Sequence, residues 1–283
     1  MPELPEVEIV VRRLGTTLAD ARVEAAAAPG IVTMRTFDPP LEDLVGRRVT
    51  GARRAGKMPI LVFDDELALL VHLMSAGRLG VFEGRASVRD RRIRLRLSLE
   101  GGRELRLREF GTQQRAWAKL LALDEVEADE AVAKIGPEAW PPPPLEELAA
   151  LVRQPRHLHP LLRDQRTIAG IGRSWVDEIL WTARLSPFRQ GVELDDTAVE
   201  ALHTACDEVL GGALEHYERV VGETLPDKAP MPLKVHARQG QPCPRCGTTL
   251  EAVFFKDHVT TYCPMEQTGG RVLKDRRLSR LLR

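Results

Sequence analysis

The six residues that open the chain, Met1-Pro2-Glu3-Leu4-Pro5-Glu6, set a nucleophile next to an acid. Pro2 is small enough for Met1 to be removed, which leaves a secondary amine beside the Glu3 carboxylate. An α-amino group titrates near about pH 7.7–8, so a sizeable fraction is neutral at physiological pH and attacks an electrophilic carbon without a buried base. Condensation at a sugar C1′ gives an iminium ion, which acidifies the adjacent C–H and opens the way to elimination. The same residues also start a helix. Pro5 suits a first turn, Glu6 and Glu8 suit the positive end of the dipole, and Val7, Val10, Val11, Leu14 and Leu18 make an apolar stripe. That helix accounts for Pro5 and Glu6 and leaves Pro2-Glu3 unexplained.

A second group of residues suited to chemistry lies near the C-terminus. Cys243-Pro244-Arg245-Cys246 begins a metal knuckle, and sixteen residues separate Cys246 from Cys263. Glu266 stands where a fourth cysteine would complete two knuckles. A carboxylate binds Zn²⁺ at about 2.0–2.2 Å, so three thiolates and Glu266 make one ligand set, with His258 or no metal as the alternatives. The fourth cysteine, Cys206, falls on a helical apolar stripe and reads as core.

These groups need elements to hold them. Residues 22–124 read as strands: 60–63 and 67–73 flank an Asp64-Asp65 turn, 93–99 alternate with period two, and Gly101-Gly102 turns the chain into 105–108. The pattern predicts a half-buried antiparallel sheet with arginines on its outer face, in a β-sandwich or flattened barrel. Gly136-Pro137 and Pro141 to Pro144 cannot continue a helix or a central strand and mark a stiff linker. Helical spacing follows at 145–152, 160–166, 174–183 and 195–217, the last with Asp195 as cap. Between two of these helices Gly170-Ile171-Gly172 makes a tight turn that can aim backbone N–H groups at a phosphate, or serve only as a turn.

The domains expected are a catalytic β-sandwich over 1–135, a linker over 136–144, a helical domain over 145–234 and a zinc-finger-like hairpin with a basic tail over 235–283. The fold class is α+β multidomain. No stretch approaches the roughly 20 apolar residues of a membrane span and no signal peptide is evident, so the expectation is a soluble, cytoplasmic, nucleoid-associated monomer with no membrane partner. The formal net charge is zero, yet residues 124–147 carry eight acidic and one basic side chain while 228–283 carry eleven basic and four acidic. A charge run is often just a solvated surface, but a basic face is also what phosphate-backbone binding needs.

Several separate motifs together resemble one family. They are Met1 to Glu8, Arg53-Arg54-Ala55-Gly56-Lys57, His72-Leu73 with Gly77-Arg78-Leu79, Gly170-Ile171-Gly172 with Glu178, and Val235-His236-Ala237-Arg238 leading into Cys243-Pro244-Arg245-Cys246-Gly247. In order and over the whole chain they resemble the formamidopyrimidine-DNA glycosylase and endonuclease VIII family. The resemblance implies an N-terminal β-sandwich, a helix-two-turn-helix domain and a zinc-finger hairpin holding one Zn²⁺, with damaged double-stranded DNA as partner. It implies base-excision repair with nucleotide flipping, and strand nicking at the abasic site. Pro2 is then the Schiff-base nucleophile, Glu3 the proton donor that opens the sugar, Glu6 a supporting carboxylate and Lys57 a cation near the phosphate. Arg54, His72, Arg89, Phe110, Arg115, Gly170, Gly172 and Arg173 are the DNA contacts expected, with Phe110 as a wedge and Arg115 as a reader of the orphaned base.

The departures are as informative. Ser75, within Met74-Ser75-Ala76, stands where the family has the methionine of His-Leu-x-Met. Residues 108–115 replace its Asp-Pro-Arg-Arg-Phe loop. Arg173 takes the place of the asparagine after the glycine turn, and His258 that of the arginine tied to the second elimination. A histidine still donates a proton, but β-elimination is the firmer expectation. The segment 222–233 is short for a loop that caps 8-oxoguanine, which favours oxidised pyrimidines, ring-opened purines, abasic sites or a bulkier adduct. The alternative reading is a DNA-binding relative that recognises distorted or abasic DNA without cutting it.

Overall fold

The helix at the start of the chain, α1 (Leu4–Thr17), is capped by a reciprocal pair: the Glu3 side chain accepts the backbone N–H of Glu6, and the Glu6 side chain accepts that of Glu3. Its apolar stripe then buries Leu4, Val7, Val11 and Leu14. Each fully buried aliphatic side chain contributes about 1.5–3 kcal/mol, so these four anchor the terminus firmly.

The structure is a computed structural model that describes residues 2–30, 32–111, 113–222, 225–227, 229–256 and 258–273. Met1, part of the segment after the last long helix, and the basic tail 274–283 lie outside the described residues. The chain divides into two compact units, Met1–Lys134 with Leu214–Pro230, and Ile135–Ala213 with Met231–Arg283.

In the first unit, α1 is followed by β1 (Val23–Ala27), β2 (Val49–Ala55), β3 (Met58–Phe63), β4 (Leu67–His72), β5 (Gly77–Glu83), β6 (Ile93–Leu99), β7 (Arg103–Glu109) and β8 (Trp117–Ala122). Two antiparallel sheets result, in the orders β1-β6-β7-β5 and β2-β3-β4-β8. One apolar core takes Val7 and Leu14 from α1, Leu61 and Leu69 from one sheet, and Leu97 and Leu107 from the other. This is the β-sandwich the alternation predicts. Asp64 and Asp65 turn the chain at positive φ between β3 and β4, as the sequence indicates.

The arginine face differs from the expectation at one position. Arg94 is 7% exposed rather than solvated. Its Nη1 donates to Gln114 Oε1 at 2.6 Å, and Gln114 Nε2 donates to the carbonyl of Arg91. Residues C-terminal to β7 cover the strand, which periodicity along a single strand cannot report.

The second unit holds α2 (Leu145–Val152), α3 (Leu158–Arg163), α4 (Arg173–Thr182), most of α5 (Asp196–Val220), the hairpin β9 (Glu251–Phe254) and β10 (Val259–Tyr262), and α6 (Pro264–Thr268). Pro160 sits in the first turn of α3, where its missing N–H costs no helical bond. Asp195 caps α5 as expected, its Oδ1 accepting the N–H of Ala198 at 2.8 Å. The run before α2 is docked along its length: Gly136 N–H donates to the Gln165 carbonyl and Ala139 N–H to that of Ala169.

Candidate active site and zinc centre

The capping geometry of α1 fixes the residues next to Pro2. Glu3 N–H donates to Glu6 Oε2 at 2.9 Å, so the peptide joining Pro2 to Glu3 is held by a carboxylate one turn into the helix. Glu3 itself is 3% exposed. Glu6 reaches in a second direction, where its Oε1 accepts a 2.6 Å hydrogen bond from the hydroxyl of Tyr217 in α5. Tyr217 is fully buried, and burial, followed by the charges of Glu6 and Glu3, pushes its phenol far above the ordinary value of 10. The tyrosine is therefore a permanent donor.

Lys57 lies in the two-residue turn between β2 and β3, where Gly56 takes φ 55° and Ala55 pairs with Met58. Arg54, on β2, is engaged within the protein. Its side chain is 8% exposed, with Nε 2.6 Å from Glu8 Oε2 and Nη1 donating to the Gly56 carbonyl. Glu8 on α1 lies across from Arg54 and braces it against the helix. Arg53 pairs with Glu127.

At the same end of this sheet His72 pairs across the strands with Trp117, ring centroids 5.1 Å apart, and Arg35 lies 4.5 Å over the indole. Burial lowers the imidazole's proton affinity, and the positive charges of Arg35 and Lys57 lower it further. The Met74 N–H donates to His72 Nδ1 at 3.1 Å, which leaves Nε2 as the protonated nitrogen of the neutral ring. Met74 carries φ 49°, a left-handed conformation that a long side chain rarely adopts. It lines a surface hollow with Met34, Arg35, Phe37, Gln114 and Arg115. Backbone strain at such a position marks a functional candidate, and the motif comparison, which sets Ser75 at the family's methionine, assigns Met74 no role.

Phe110 is 46% exposed, with Arg108 5.3 Å and Arg92 5.7 Å from its ring. The loop that follows is pinned by Glu109, 2% exposed, which accepts the N–H groups of Arg115 and Ala116. Arg115 and Arg89 both project from exposed loop positions.

In the second unit Gly170 takes φ 101° and Gly172 caps α4. Gln165 braces the turn, accepting the N–H of Gly170 and donating to the carbonyl of Ile171. The first residue of α4 is Arg173, an exposed cation at a helix N-terminus, the end that attracts anions. Further along α4 lie two buried carboxylates. Glu178 accepts the N–H groups of Lys234, Val235 and His236, and burial raises its carboxyl despite them. Asp177 accepts from Thr261 N–H and faces His236 Nδ1 at 2.7 Å and His159 Nε2 at 3.2 Å. Together they tie the finger hairpin to the helix. His258 is held in a stack, 4.5 Å from the Phe255 ring and 5.5 Å from that of His159, nearly parallel to both.

The thiol sulfurs of Cys243, Cys246 and Cys263 lie within 4.8 Å of one another. Trp181 donates its indole N–H to Cys243 Sγ at 3.4 Å, and Arg245 covers the indole at 4.1 Å. Three converging thiols with N–H donors behind them suit a soft tetrahedral cation. Glu266 does not enter this group. Its carboxylate is held by Arg245 at 2.9 Å and Arg184 at 3.2 Å, two charge-assisted bonds that satisfy it away from the sulfurs. Cys206 is fully buried in α5, its thiol pushed up to about 12 by burial, as expected of core.

A β-sandwich unit that begins at Pro2-Glu3, together with a helical unit that carries a glycine turn and a three-cysteine hairpin, defines a class of multidomain DNA-repair fold. Models of the formamidopyrimidine-DNA glycosylase N-terminal domain, its H2TH domain and the zinc finger found in FPG and IleRS match residues 1–113, 141–223 and 240–264. The formamidopyrimidine-DNA glycosylase of Roseiflexus sp. (strain RS-1) is 34% identical over 284 residues, covering 93% of this chain and 98% of the relative. Lactococcus lactis Fpg in complex with DNA containing an abasic site superimposes with a TM-score of 0.84 at 24% identity, over 94% of this chain and 99% of that one. The same enzyme with DNA containing N7-benzyl-Fapy-dG gives 0.83 at 26% identity, over 94% and 100%. The chain belongs to the formamidopyrimidine-DNA glycosylase family, a family of base-excision-repair enzymes. Its finger takes one zinc ion, for which the three thiols are the ligands brought together.

Proposed function

We propose that the protein is a bifunctional enzyme, a DNA glycosylase that also acts as an abasic-site lyase, with Pro2 and Glu3 at the reaction centre. The observation that carries this reading is the double hold on the Pro2-Glu3 peptide, in which Glu3 and Glu6 cap each other at the start of α1. In the proposed reaction the Pro2 nitrogen attacks C1′ as the bond to the damaged base breaks, and the base leaves with that electron pair and takes up the proton the amine gives up. Glu3 delivers a proton to the ring oxygen, the sugar opens, and nitrogen and C1′ are joined as an iminium. Loss of a C2′ proton then expels the 3′ phosphate. An acid at the sugar oxygen and a nucleophile at C1′ are the two groups this chemistry demands.

Lys57 stands near the phosphate in this scheme, and His72 offers its Nε2–H to the backbone. Gly170, Gly172 and Arg173 grip the phosphates at the N-terminus of α4. Met74, Phe110 and Arg115 fill the gap left by the flipped nucleotide and read the base opposite, while Arg89 contacts the backbone. His258 is the proton donor for a second, δ-elimination. The substrate class is a ring-opened purine, an oxidised pyrimidine or an abasic site in duplex DNA. The Lactococcus complexes carry two of these kinds of site. The short segment after α5 supports the same choice: Leu225 packs on the sandwich core and Asp227 is bonded to Arg78 and Arg108, which leaves little chain to cap a base.

The test separates the two activities. Glu3→Gln should abolish base release from a duplex with one ring-opened purine while nicking at a preformed abasic site persists. Equal loss of both in a folded variant that still binds the duplex would instead favour a protein that recognises such DNA without cutting it.

A further inference from the structure

Tyr217 belongs to none of the motifs that carry the family resemblance, yet it is the residue of α5 that reaches the N-terminal carboxylates. It continues a stripe of buried residues, Leu210, Ala213, Leu214, Tyr217 and Val221, on which a phenol is the odd member. A buried tyrosine must satisfy its hydroxyl, and this one does so on Glu6 Oε1 at 2.6 Å, the length of a charge-assisted O–H···O⁻ bond. The other oxygen of that carboxylate accepts the N–H of Glu3. That nitrogen is three covalent bonds from the amine of Pro2. A hydroxyl on one helix thus holds, through a single carboxylate, the peptide that carries the proposed nucleophile.

We propose that Tyr217 is a positioning residue for the Pro2 amine, acting through Glu6. The inference rests on the reading of Pro2 as nucleophile. The hydroxyl does two things at once. It selects one orientation of the Glu6 side chain, the one that leaves Oε2 on the Pro2-Glu3 peptide. It also favours Glu6 as an anion, because a hydrogen bond to the ionised form stabilises that form. A fixed negative charge there stabilises the iminium cation that forms at Pro2, which water would do less well because it must reorient. The charged and titratable groups that face Glu6 include Glu3 on its own helix, Tyr217 from α5 and Arg78 from β5. Tyr217 is the neutral donor of the three, and so the one whose removal changes no net charge.

Tyr217→Phe tests this, since it keeps the ring and the packing and deletes one donor. The assay is the single-turnover rate of borohydride-trapped adduct on duplex DNA with an abasic site, taken from pH 5.5 to 8.5 on the full chain. Loss of a donor to a buried carboxylate should lower the rate about tenfold at pH 6.5. The acid limb should move up in pH, so that the loss is larger at pH 5.5 than at pH 8.5. Affinity for an uncleavable abasic analogue should stay within about twofold. The same substitution placed in Glu6→Gln, which cannot titrate at this site, should leave the limb where Glu6→Gln alone puts it. A merely structural tyrosine would lower thermal stability in both backgrounds and leave the profile in place, and that result overturns the proposal. So does an equal shift in the Glu6→Gln background. If the wild type itself gives no adduct at any pH, the reading of Pro2 falls first and this inference with it. A wild-type adduct with an unshifted Tyr217→Phe profile sinks the inference alone.

Discussion

Glu8→Gln is a sharp test of how the sandwich holds its N-terminal helix. Glu8 is 19% exposed and receives Arg12 Nε at 2.8 Å on one oxygen and Arg54 Nε at 2.6 Å on the other. The two bonds are unequal. The Arg12 pair is an exposed i,i+4 contact worth about 0.3–0.5 kcal/mol. Arg54 is 8% exposed and would lose its carboxylate, and removing one partner of a buried pair costs about 3 kcal/mol. The glutamine oxygen keeps one of the contacts, so about 2 kcal/mol is the expected net loss. For a cooperative unit of this size that corresponds to a fall in Tm of roughly 4–8 °C at pH 7. The pH dependence gives the sign. Burial pushes the Glu8 carboxyl up, but the hydrogen bonds and charges of Arg12 and Arg54 outweigh it and hold it below its ordinary 4.5. A depressed carboxyl adds stability that is present above the unfolded value and lost as pH falls through the folded one. The wild-type and Glu8→Gln melting curves, followed by circular dichroism, should therefore lie apart at pH 7 and converge below pH 4.5. A constant gap from pH 7 to pH 3, or none at pH 7, refutes the assignment of Glu8 as the anchor of Arg54.

Other outcomes follow from the same geometry. Glu109→Ala strips the acceptor from two N–H groups at Arg115 and Ala116, so it should cost about 1–3 kcal/mol in urea unfolding and blur discrimination of the base opposite the lesion. Unchanged discrimination would detach that loop from base reading. In metal analysis Cys263→Ser should lose most of its zinc, whereas Glu266→Ala should retain a full equivalent because its carboxylate is held by Arg184 and Arg245. Zinc loss in the alanine variant would restore Glu266 as a ligand. His258→Arg should raise the share of δ-elimination product, because an arginine carries its protons at any assay pH, and a product ratio equal to wild type would remove His258 from that step.

What the sequence makes legible is what is local. Period-two alternation finds β6, helical spacing finds α2, α4 and α5, and the motif order finds the family, because each depends on neighbours in the chain. The cysteine spacing finds the zinc site for the same reason. The bracing of Arg54 is not legible, because its partner Glu8 lies 46 positions away. Two cations beside a turn look like a solvated patch until α1 is laid across β2. Glu266 reads as a ligand from its offset after Cys263, and only the fold brings in Arg184, just past the end of α4. Tyr217 left one faint trace, a hydroxyl on an otherwise apolar stripe. Asp177 left none, since the groups it joins come from α3, β10 and the segment before the finger.

The central claim is that an N-terminal proline does the covalent chemistry. Borohydride reduction during reaction with abasic-site duplex, followed by proteolysis and mass mapping of the cross-linked peptide, measures it directly. The account predicts one adduct, on the secondary amine of Pro2 in a chain that has lost Met1. An adduct on Lys57 or any other lysine, or none from protein that binds the duplex, contradicts it.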